Sequence, residues 1–196
     1  TARNASLAGG GRSRSGRALQ ESGDFSCVDV ASTLSTNTKF VGAATAGNGL
    51  VVFAPYNADC VGVFDAASDA FRCVDVASTL STDVKFDGAA TAANGRVVFA
   101  PLHADCVGVF DAASDAFSCV DIASTVSINN KFRGAATAGN GRVVFAPYSA
   151  NCVGVFDAAS DAFSCVSITS TVSIFGKFSG AATAANGRVV FAPYNA

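Results

Sequence analysis

The sequence predicts an all-β fold built from four-stranded antiparallel units in tandem. A segment of 46 residues recurs almost unchanged, with copies that begin at Phe25, Phe71, Phe117 and Phe163. Half of the chain is apolar, mainly Val, Phe and Ala, and Val and Phe favour pleated, half-buried strands. Asn-Gly and Pro recur in each copy and leave no window for a helix of three turns. A period in the forties with four short strands is typical of β-propeller blades.

Four segments of each copy have strand character. In the first copy the first three predicted strands are Gly42–Ala46, Leu50–Pro55 and Cys60–Phe64, and the fourth is Phe71–Val76. The first hairpin falls at Asn48-Gly49, and we predict a type I′ turn there because this dipeptide tolerates positive φ at both central positions. A linking segment then leads to the next unit.

The loop between the third and fourth strands sets their register. Residues 65–68 begin with Asp and end with Ser, whose side chains bond turn amides, so we predict a four-residue loop there. This loop places Gly62 opposite Phe71 and Cys60 opposite Cys73. A phenyl ring over a cross-strand glycine fills the space that the missing side chain leaves. The same pairing is predicted for Gly108 with Phe117 and for Gly154 with Phe163.

The motif NGRVVFAP followed by CVGVFDAASDAF resembles the repeats of kelch-, NHL- and YVTN-type propellers. The shared features are an Asn-Gly turn, a strand that ends in Pro and a Val-rich strand that ends in Asp. The resemblance covers residues 25–196 and implies propeller blades. It does not imply one activity, because such propellers include binders, scaffolds and a few enzymes.

The chain divides into a short leader and a repeat region. Residues 1–24 carry Arg among Gly, Ser and Ala, and we interpret them as a flexible linker or the remnant of a leader. The repeat region comprises units 25–70, 71–116, 117–162 and 163–196, and the last unit is incomplete. We expect a truncated longer array; a compact ring of four blades and an open array that pairs with another copy are the alternatives.

The seven cysteines recur with the units. Pairs 13 residues apart fall on the hairpin of the third and fourth strands: Cys60 with Cys73, Cys106 with Cys119, and Cys152 with Cys165. They form disulfides in an oxidising compartment or stay buried as thiols, and the sequence leaves both open. Cys27 is left over. The spacings do not match a zinc or redox site, so we predict no metal and no cofactor.

Two sets of residues are candidates for binding. The lysines occupy one position of each unit, where a propeller would place them on a ring that attracts an anionic ligand or would pair them with Asp at the blade entrance. They are Lys39, Lys85, Lys131 and Lys177. The residues after each Pro vary within a constant frame, which indicates a binding surface or drift in an exposed loop. They include Tyr56, Asn57, His103, Tyr148 and Tyr194.

These features favour a non-catalytic scaffold or interaction module that binds a protein or glycan partner through blade loops. The chain has a single His and no nucleophile elbow, phosphate loop or dinucleotide fingerprint, so no catalytic residue is predicted. The alternatives are a propeller hydrolase or lactonase with a central-channel site and a structural surface repeat protein. A net charge of −2 and the lack of a long apolar run argue against nucleic acid and a membrane span. Open blade edges favour self-association.

Overall fold

The structure, a computed structural model, describes residues 26–196, so the predicted linker or leader at 1–24 lies outside the described residues. In this part of the chain no helix has the length and apolarity needed to cross a bilayer. The strands are β1 (Phe40–Thr45), β2 (Val51–Pro55), β3 (Cys60–Asp65), β4 (Ala70–Asp75), β5 (Phe86–Thr91), β6 (Val97–Pro101), β7 (Cys106–Asp111), β8 (Ala116–Asp121), β9 (Phe132–Thr137), β10 (Val143–Pro147), β11 (Cys152–Asp157), β12 (Ala162–Ser167), β13 (Phe178–Thr183) and β14 (Val189–Pro193).

Each repeat folds into one antiparallel sheet, or blade, whose strands follow chain order. The first three blades have four strands each, β1–β4, β5–β8 and β9–β12, and the last consists of β13 and β14. The predicted tandem array of four-stranded blades with an incomplete last one is therefore confirmed. The first strand begins earlier than predicted, at Phe40 rather than Gly42, because Phe40 pairs with Pro55 across a bulge.

The hairpin between β1 and β2 lies where the sequence predicts it, but its turn type differs. Gly49 has a φ of +87°, whereas Asn48 is not among the residues with positive φ, so the predicted type I′ turn is wrong. The loop has three residues, 47–49. The Gly49 amide donates to the Ala46 carbonyl at 2.9 Å, and the Ala46 amide donates to the Leu50 carbonyl at 2.8 Å. A three-residue loop of this kind needs one left-handed residue, and glycine supplies it.

The loop between β3 and β4 comprises residues 66–69, one position later than predicted. Asp69 takes a left-handed φ of +56°, and Asp65 stays in β3. The Asp65 carboxylate accepts hydrogen bonds from the Ser68 hydroxyl at 2.7 Å and the Ala67 amide at 2.9 Å. These bonds favour the charged carboxylate and lower the pKa of Asp65. Asp65 therefore caps the turn from the end of the strand.

This loop shifts the pairing of β3 and β4 by two residues, so the predicted register is wrong. Gly62 lies opposite Cys73 and not opposite Phe71. The predicted ring over the glycine is still present, because a Cβ on Gly62 would lie 3.1 Å from the Phe71 ring. The Phe40 and Phe53 rings would lie 2.8 Å and 3.1 Å away, so three rings fill the space. The same register occurs at Gly108 and Gly154, where the nearest rings belong to the first and second strands of the blade.

Each blade has an aromatic face and an aliphatic face, because side chains alternate along a strand. In the first blade the aromatic face carries Phe40, Phe53, Phe64 and Phe71, and the aliphatic face carries Val52, Ala54, Val61 and Val63. One core cluster joins the aliphatic face of the first blade to Phe86, Phe99 and Phe110 of the second. A second cluster joins the second and third blades in the same way. The hydrophobic core therefore lies between blades.

The blades also pack through their first strands. β1 packs against β5, β5 against β9, and β9 against β13. Within the described residues β1 and β13 do not pack against each other to a comparable extent. The described blades are therefore an open array, and the closed ring of four blades, one of the three predicted arrangements, is not formed.

Candidate binding surface

The structure buries three of the four predicted lysines. Lys85 and Lys131 are 0% exposed and Lys177 is 1% exposed, whereas Lys39 of the first unit is partly exposed. Each lysine immediately precedes the first strand of its blade, and the three buried lysines lie next to the preceding blade. Buried ammonium groups that protein groups already bind are not available to an anionic ligand, so this geometry favours a role between blades.

The contacts of Lys131 show what this role is. Its Nζ lies 2.9 Å from Asp105 Oδ1 and donates to the carbonyl oxygens of His103 at 3.2 Å and Ala104 at 3.1 Å. All three groups belong to the loop after the second strand of the preceding blade. Lys85 bonds Asp59 at 3.1 Å in the equivalent loop. The lysines thus fasten the start of one blade to the loop of the blade before it.

Lys177 lacks this carboxylate, because Asn151 occupies the position of Asp59 and Asp105 in its preceding unit. Its Nζ donates to the Ser149 carbonyl at 3.3 Å. Burial disfavours the charged ammonium and lowers the pKa of Lys177.

We expect Asn151→Asp to stabilise the protein at neutral pH by less than about 1 kcal/mol, because it would give the Lys177 ammonium a carboxylate partner that, like Asp105, is exposed to water. In the native chain the buried Lys177 ammonium destabilises the folded state at any pH below the lowered pKa of Lys177. As the pH rises from that pKa to 10.5, the pKa of a lysine in the unfolded chain, the folded state loses this proton first and the cost disappears. The gain should therefore shrink in alkali. Urea unfolding between neutral and alkaline pH measures it. Ser173→Asp, which adds the same charge to an exposed loop, is the control, and an equal gain from it would contradict the pairing.

The predicted variable residues after each Pro lie beside a second variable segment, the pair of residues before each Lys. Together they form a surface that we call the loop face. It comprises residues 56–57, 102–103, 148–149 and 194–195 after the prolines and residues 37–38, 83–84, 129–130 and 175–176 before the lysines. The second set is not among the predicted binding residues, although its variation, from Asn-Thr to Phe-Gly, is visible in the repeats.

Hydrogen bonds connect the two halves of the loop face. Asn57 Nδ2 donates to the Asn37 carbonyl at 3.2 Å within the first unit. Asn57 Oδ1 accepts from the Val84 amide of the next unit at 3.1 Å. In the second unit His103 Nε2 lies 3.3 Å from Asn130 Oδ1. The polar atoms of the predicted binding residues Asn57 and His103 thus hold neighbouring loops together.

An aromatic cluster lies on the loop face of the last two blades. The Tyr148 ring centroid is 5.4 Å from that of Phe175 and 5.6 Å from that of Tyr194. Tyr148 is buried, but Phe175 and Tyr194 are 66% and 60% exposed. At the equivalent position Tyr56 is half-buried and Leu102 is fully buried. The predicted tyrosines therefore differ in exposure, and Tyr194 with Phe175 presents the largest aromatic surface of the loop face as described.

An ion pair adjoins this cluster. Arg133 Nε lies 3.5 Å from Asp87 Oδ2, and the guanidinium carbon of Arg133 lies 4.0 Å from the centroid of the Tyr148 ring. Burial raises the pKa of Asp87, and the Arg133 charge opposes this only in part. Both residues occupy the second position of a first strand, which Val41 and Ser179 occupy in the other units. This variable position was also visible in the repeats and was missed.

The structure brings together the two cysteines of each predicted pair. The Cα–Cα distances are 5.4 Å, 5.3 Å and 5.3 Å for Cys60–Cys73, Cys106–Cys119 and Cys152–Cys165. These distances suit a disulfide. The pairs are diagonal across the hairpin and not directly opposite as predicted. Cys27 is exposed and pairs with no described cysteine. We keep oxidation of the three pairs as a proposal, because it depends on the compartment.

No three side chains of His, Cys, Asp or Glu come together as a set of metal ligands in residues 26–196. The one histidine faces an amide oxygen of the neighbouring loop. The loop face presents to solvent the rings of Phe175 and Tyr194 together with polar side chains, among them Asn37, Asp83 and Asn129.

Comparison with solved structures identifies the class of fold. The chain superimposes on virginiamycin B lyase from Staphylococcus aureus with a TM-score of 0.65 and 13% identity, covering 82% of this chain and 51% of that one. A chain of the nidogen/laminin complex matches with a TM-score of 0.58 and 11% identity, covering 79% of this chain and 56% of that one. The fold is that of a β-propeller, as the resemblance implies. No family model matches the chain, and the comparison with curated proteins found no match.

The chain spans about half the length of the lyase that it matches. Hydrazine synthase from Kuenenia stuttgartiensis also matches, with a TM-score of 0.60 and 14% identity, covering 80% of this chain and 42% of that one. The similar structures thus include enzymes and a protein–protein complex. At these identities the comparison defines the fold alone, since one fold hosts many functions.

Proposed function

We propose that this chain is a non-catalytic interaction module that binds a protein or glycan partner through the loop face. The observation that carries the proposal is where the units differ. Each complete blade has the same lysine, the same first-strand glycine and the same three clustered phenylalanines. The loop face, in contrast, changes from unit to unit. A constant frame with variable loops is the arrangement by which repeat folds present binding surfaces.

The aromatic cluster is the proposed centre of the contact. Phe175 and Tyr194 expose most of their rings, while their contacts with the buried Tyr148 restrict the freedom that binding would otherwise remove. Rings of this kind contribute strongly to interfaces, because they bury a large area at a low entropic cost. The same rings provide a flat apolar platform for the faces of sugars.

The test is a screen of the full chain against an oligosaccharide array and a peptide display library. Any ligand found should bind the double variant Phe175→Ser, Tyr194→Ser at least about tenfold more weakly, a typical loss for a central aromatic anchor. The control is Val166→Ser, because Val166 is 57% exposed and lies on the outer strand of the third blade. A ligand that binds the double variant as tightly as the native chain would contradict the proposal.

The two alternative functions lead to different results. A propeller hydrolase or lactonase commonly uses acidic and His side chains around the central channel, and the described residues bring no three such side chains together as metal ligands. In a structural surface repeat protein the length of the array is itself the function. The loop face would then bind no ligand, and its variation would have no functional effect. The absence of a ligand from both libraries would favour the structural alternative.

A further inference from the structure

The segments that precede the lysines of the third and fourth units expose apolar side chains. Ile128 and Ile174 occupy the same repeat position and are each 44% exposed. Described blades lie on both sides of Ile128, so the fold itself leaves this position open. Phe175 follows Ile174 and is 66% exposed, at a position where Asp83 and Asn129 are also exposed. The exposure of these apolar side chains is therefore a property of the repeat and not of the end of the chain.

At the junction of the third and fourth blades, the Arg133 guanidinium adjoins these apolar side chains. Its central carbon lies 4.0 Å from the centroid of the Tyr148 ring, and the Phe175 ring centroid lies 5.4 Å from the same point. Arg133 Nε faces Asp87 Oδ2 at 3.5 Å but makes no hydrogen bond with a described residue. The Arg133 side chain is 28% exposed. Because a guanidinium has five N–H donors, those that reach solvent are available to a carboxylate.

This junction lacks an acidic residue that the two preceding junctions have. Asn151 occupies the position of the aspartate that pairs with the buried lysine there, so Lys177 has no carboxylate partner among the described residues. The Lys177 amide donates to the Tyr148 carbonyl at 2.9 Å, which places this lysine at the same junction. Two cationic side chains, Arg133 and Lys177, are thus accompanied by one carboxylate, Asp87. This imbalance favours a partner with negative charge.

We propose that this junction binds an acidic peptide segment of a partner protein, in which a Glu or Asp stands next to an apolar residue. The inference rests on the proposed function and specifies the partner of the loop face. The Arg133 guanidinium receives the carboxylate, and the Ile174 and Phe175 side chains receive the apolar residue. Ile174 favours a peptide over a sugar, because an aliphatic side chain gains most from burial against another apolar side chain.

The carboxylate contact is tested with short synthetic peptides that carry a Glu-Leu or a Glu-Phe pair in a Gly-Ser context, and with matched peptides that have Gln in place of Glu. Fluorescence anisotropy with the full chain should show about fivefold tighter binding of the Glu peptides, a typical gain from a charge-assisted hydrogen bond. Arg133→Gln should abolish this preference. Arg142→Gln is the control and should keep it, because Arg142 lies at the other end of the third blade and also adjoins one aspartate, Asp157, at 3.3 Å.

The apolar contact is tested with Ile174→Ser. This variant should weaken the binding of the Glu and the Gln peptides alike by about threefold or more, because the peptide loses apolar surface to pack against. Ile128→Ser is the matched control. It changes the same residue type at the same repeat position and with the same exposure, but one unit earlier, and it should leave both affinities unchanged.

Several outcomes would overturn the acidic peptide as the partner. They are no binding of any peptide, equal binding of the Glu and Gln peptides, a Glu preference that survives Arg133→Gln, and equal losses from Ile174→Ser and Ile128→Ser. A sugar from the oligosaccharide array that needs the Phe175 and Tyr194 rings would also overturn it, but would leave the proposed function intact. Failure of the proposed function has a different signature, since a ligand from either library would then bind the double variant Phe175→Ser, Tyr194→Ser as tightly as the native chain.

Discussion

Gly88→Ala is expected to destabilise the array by about 3 kcal/mol or more. The new Cβ would clash with the backbone of the next blade, and alanine is unfavourable at the positive φ of this position. Gly88 has a φ of +112°, and a Cβ on it would lie 2.7 Å from the Gly134 Cα of the next blade. Gly42 stands in the same relation to Gly88, at 2.6 Å. The obstructing atoms belong to the backbone and cannot rotate away, so the first strands of two blades would have to separate.

The matched control for this variant is Gly49→Ala. Gly49 also has a positive φ, +87°, but no atom lies within 4 Å of the place where its Cβ would be. It carries the backbone strain without the clash, so a loss of about 1 kcal/mol is expected. Urea unfolding of both variants measures the difference. Equal losses would mean that close approach of the first strands contributes nothing to stability.

This close approach explains the small residues of the first strand. Thr91 Oγ1 donates to the Thr45 carbonyl of the preceding blade at 2.6 Å, and Thr137 Oγ1 donates to the Thr91 carbonyl at 2.7 Å. Such bonds form only if the strands lie close together, and the glycine beside each contact makes this possible. The segment Gly-Ala-Ala-Thr is therefore an inter-blade contact as well as a strand.

The number and order of the strands could be predicted because each signal recurs in every complete unit. An Asn-Gly turn, a Pro and a Cys-Val-Gly-Val-Phe run recur at fixed spacing, so one interpretation is checked several times within one chain. The register of β3 and β4 could not be predicted in this way. It depends on whether Asp65 or Asp69 occupies the turn, and Asp is favourable both as a cap and in the left-handed region.

Part of the candidate site could be predicted by comparing the units with one another. The variation after each Pro is visible in this way, and it led to the prediction of Tyr148 and Tyr194 as binding residues. The burial of Lys85 follows from a contact with Asp59, 26 residues earlier and in another blade, which spacing within one unit does not show. The variation at Phe175 and Arg133 is visible in the repeats, but both residues contact Tyr148 only where two blades meet, so the sequence does not show that the three belong together.

Lys131→Met is expected to destabilise the protein by about 2–3 kcal/mol, because the apolar side chain leaves two inward carbonyls without their donor. The lysine is 0% exposed and bonds the carbonyls of His103 and Ala104 as well as Asp105. Methionine has a similar length and keeps most of the packing between the two blades, so the loss reports mainly on the polar contacts.

Asp105→Asn separates the two kinds of contact that Lys131 makes. The Asp105 side chain is 61% exposed, so water screens its ion pair, and a loss below about 1 kcal/mol is expected. Asn151 already occupies this position in the next unit, where Lys177 still bonds a loop carbonyl. Urea unfolding of both variants compares the losses. If Lys131→Met lowered the free energy of unfolding no more than Asp105→Asn, the buried carbonyl bonds would not fasten the blades, and the lysine would act only as one half of a surface ion pair.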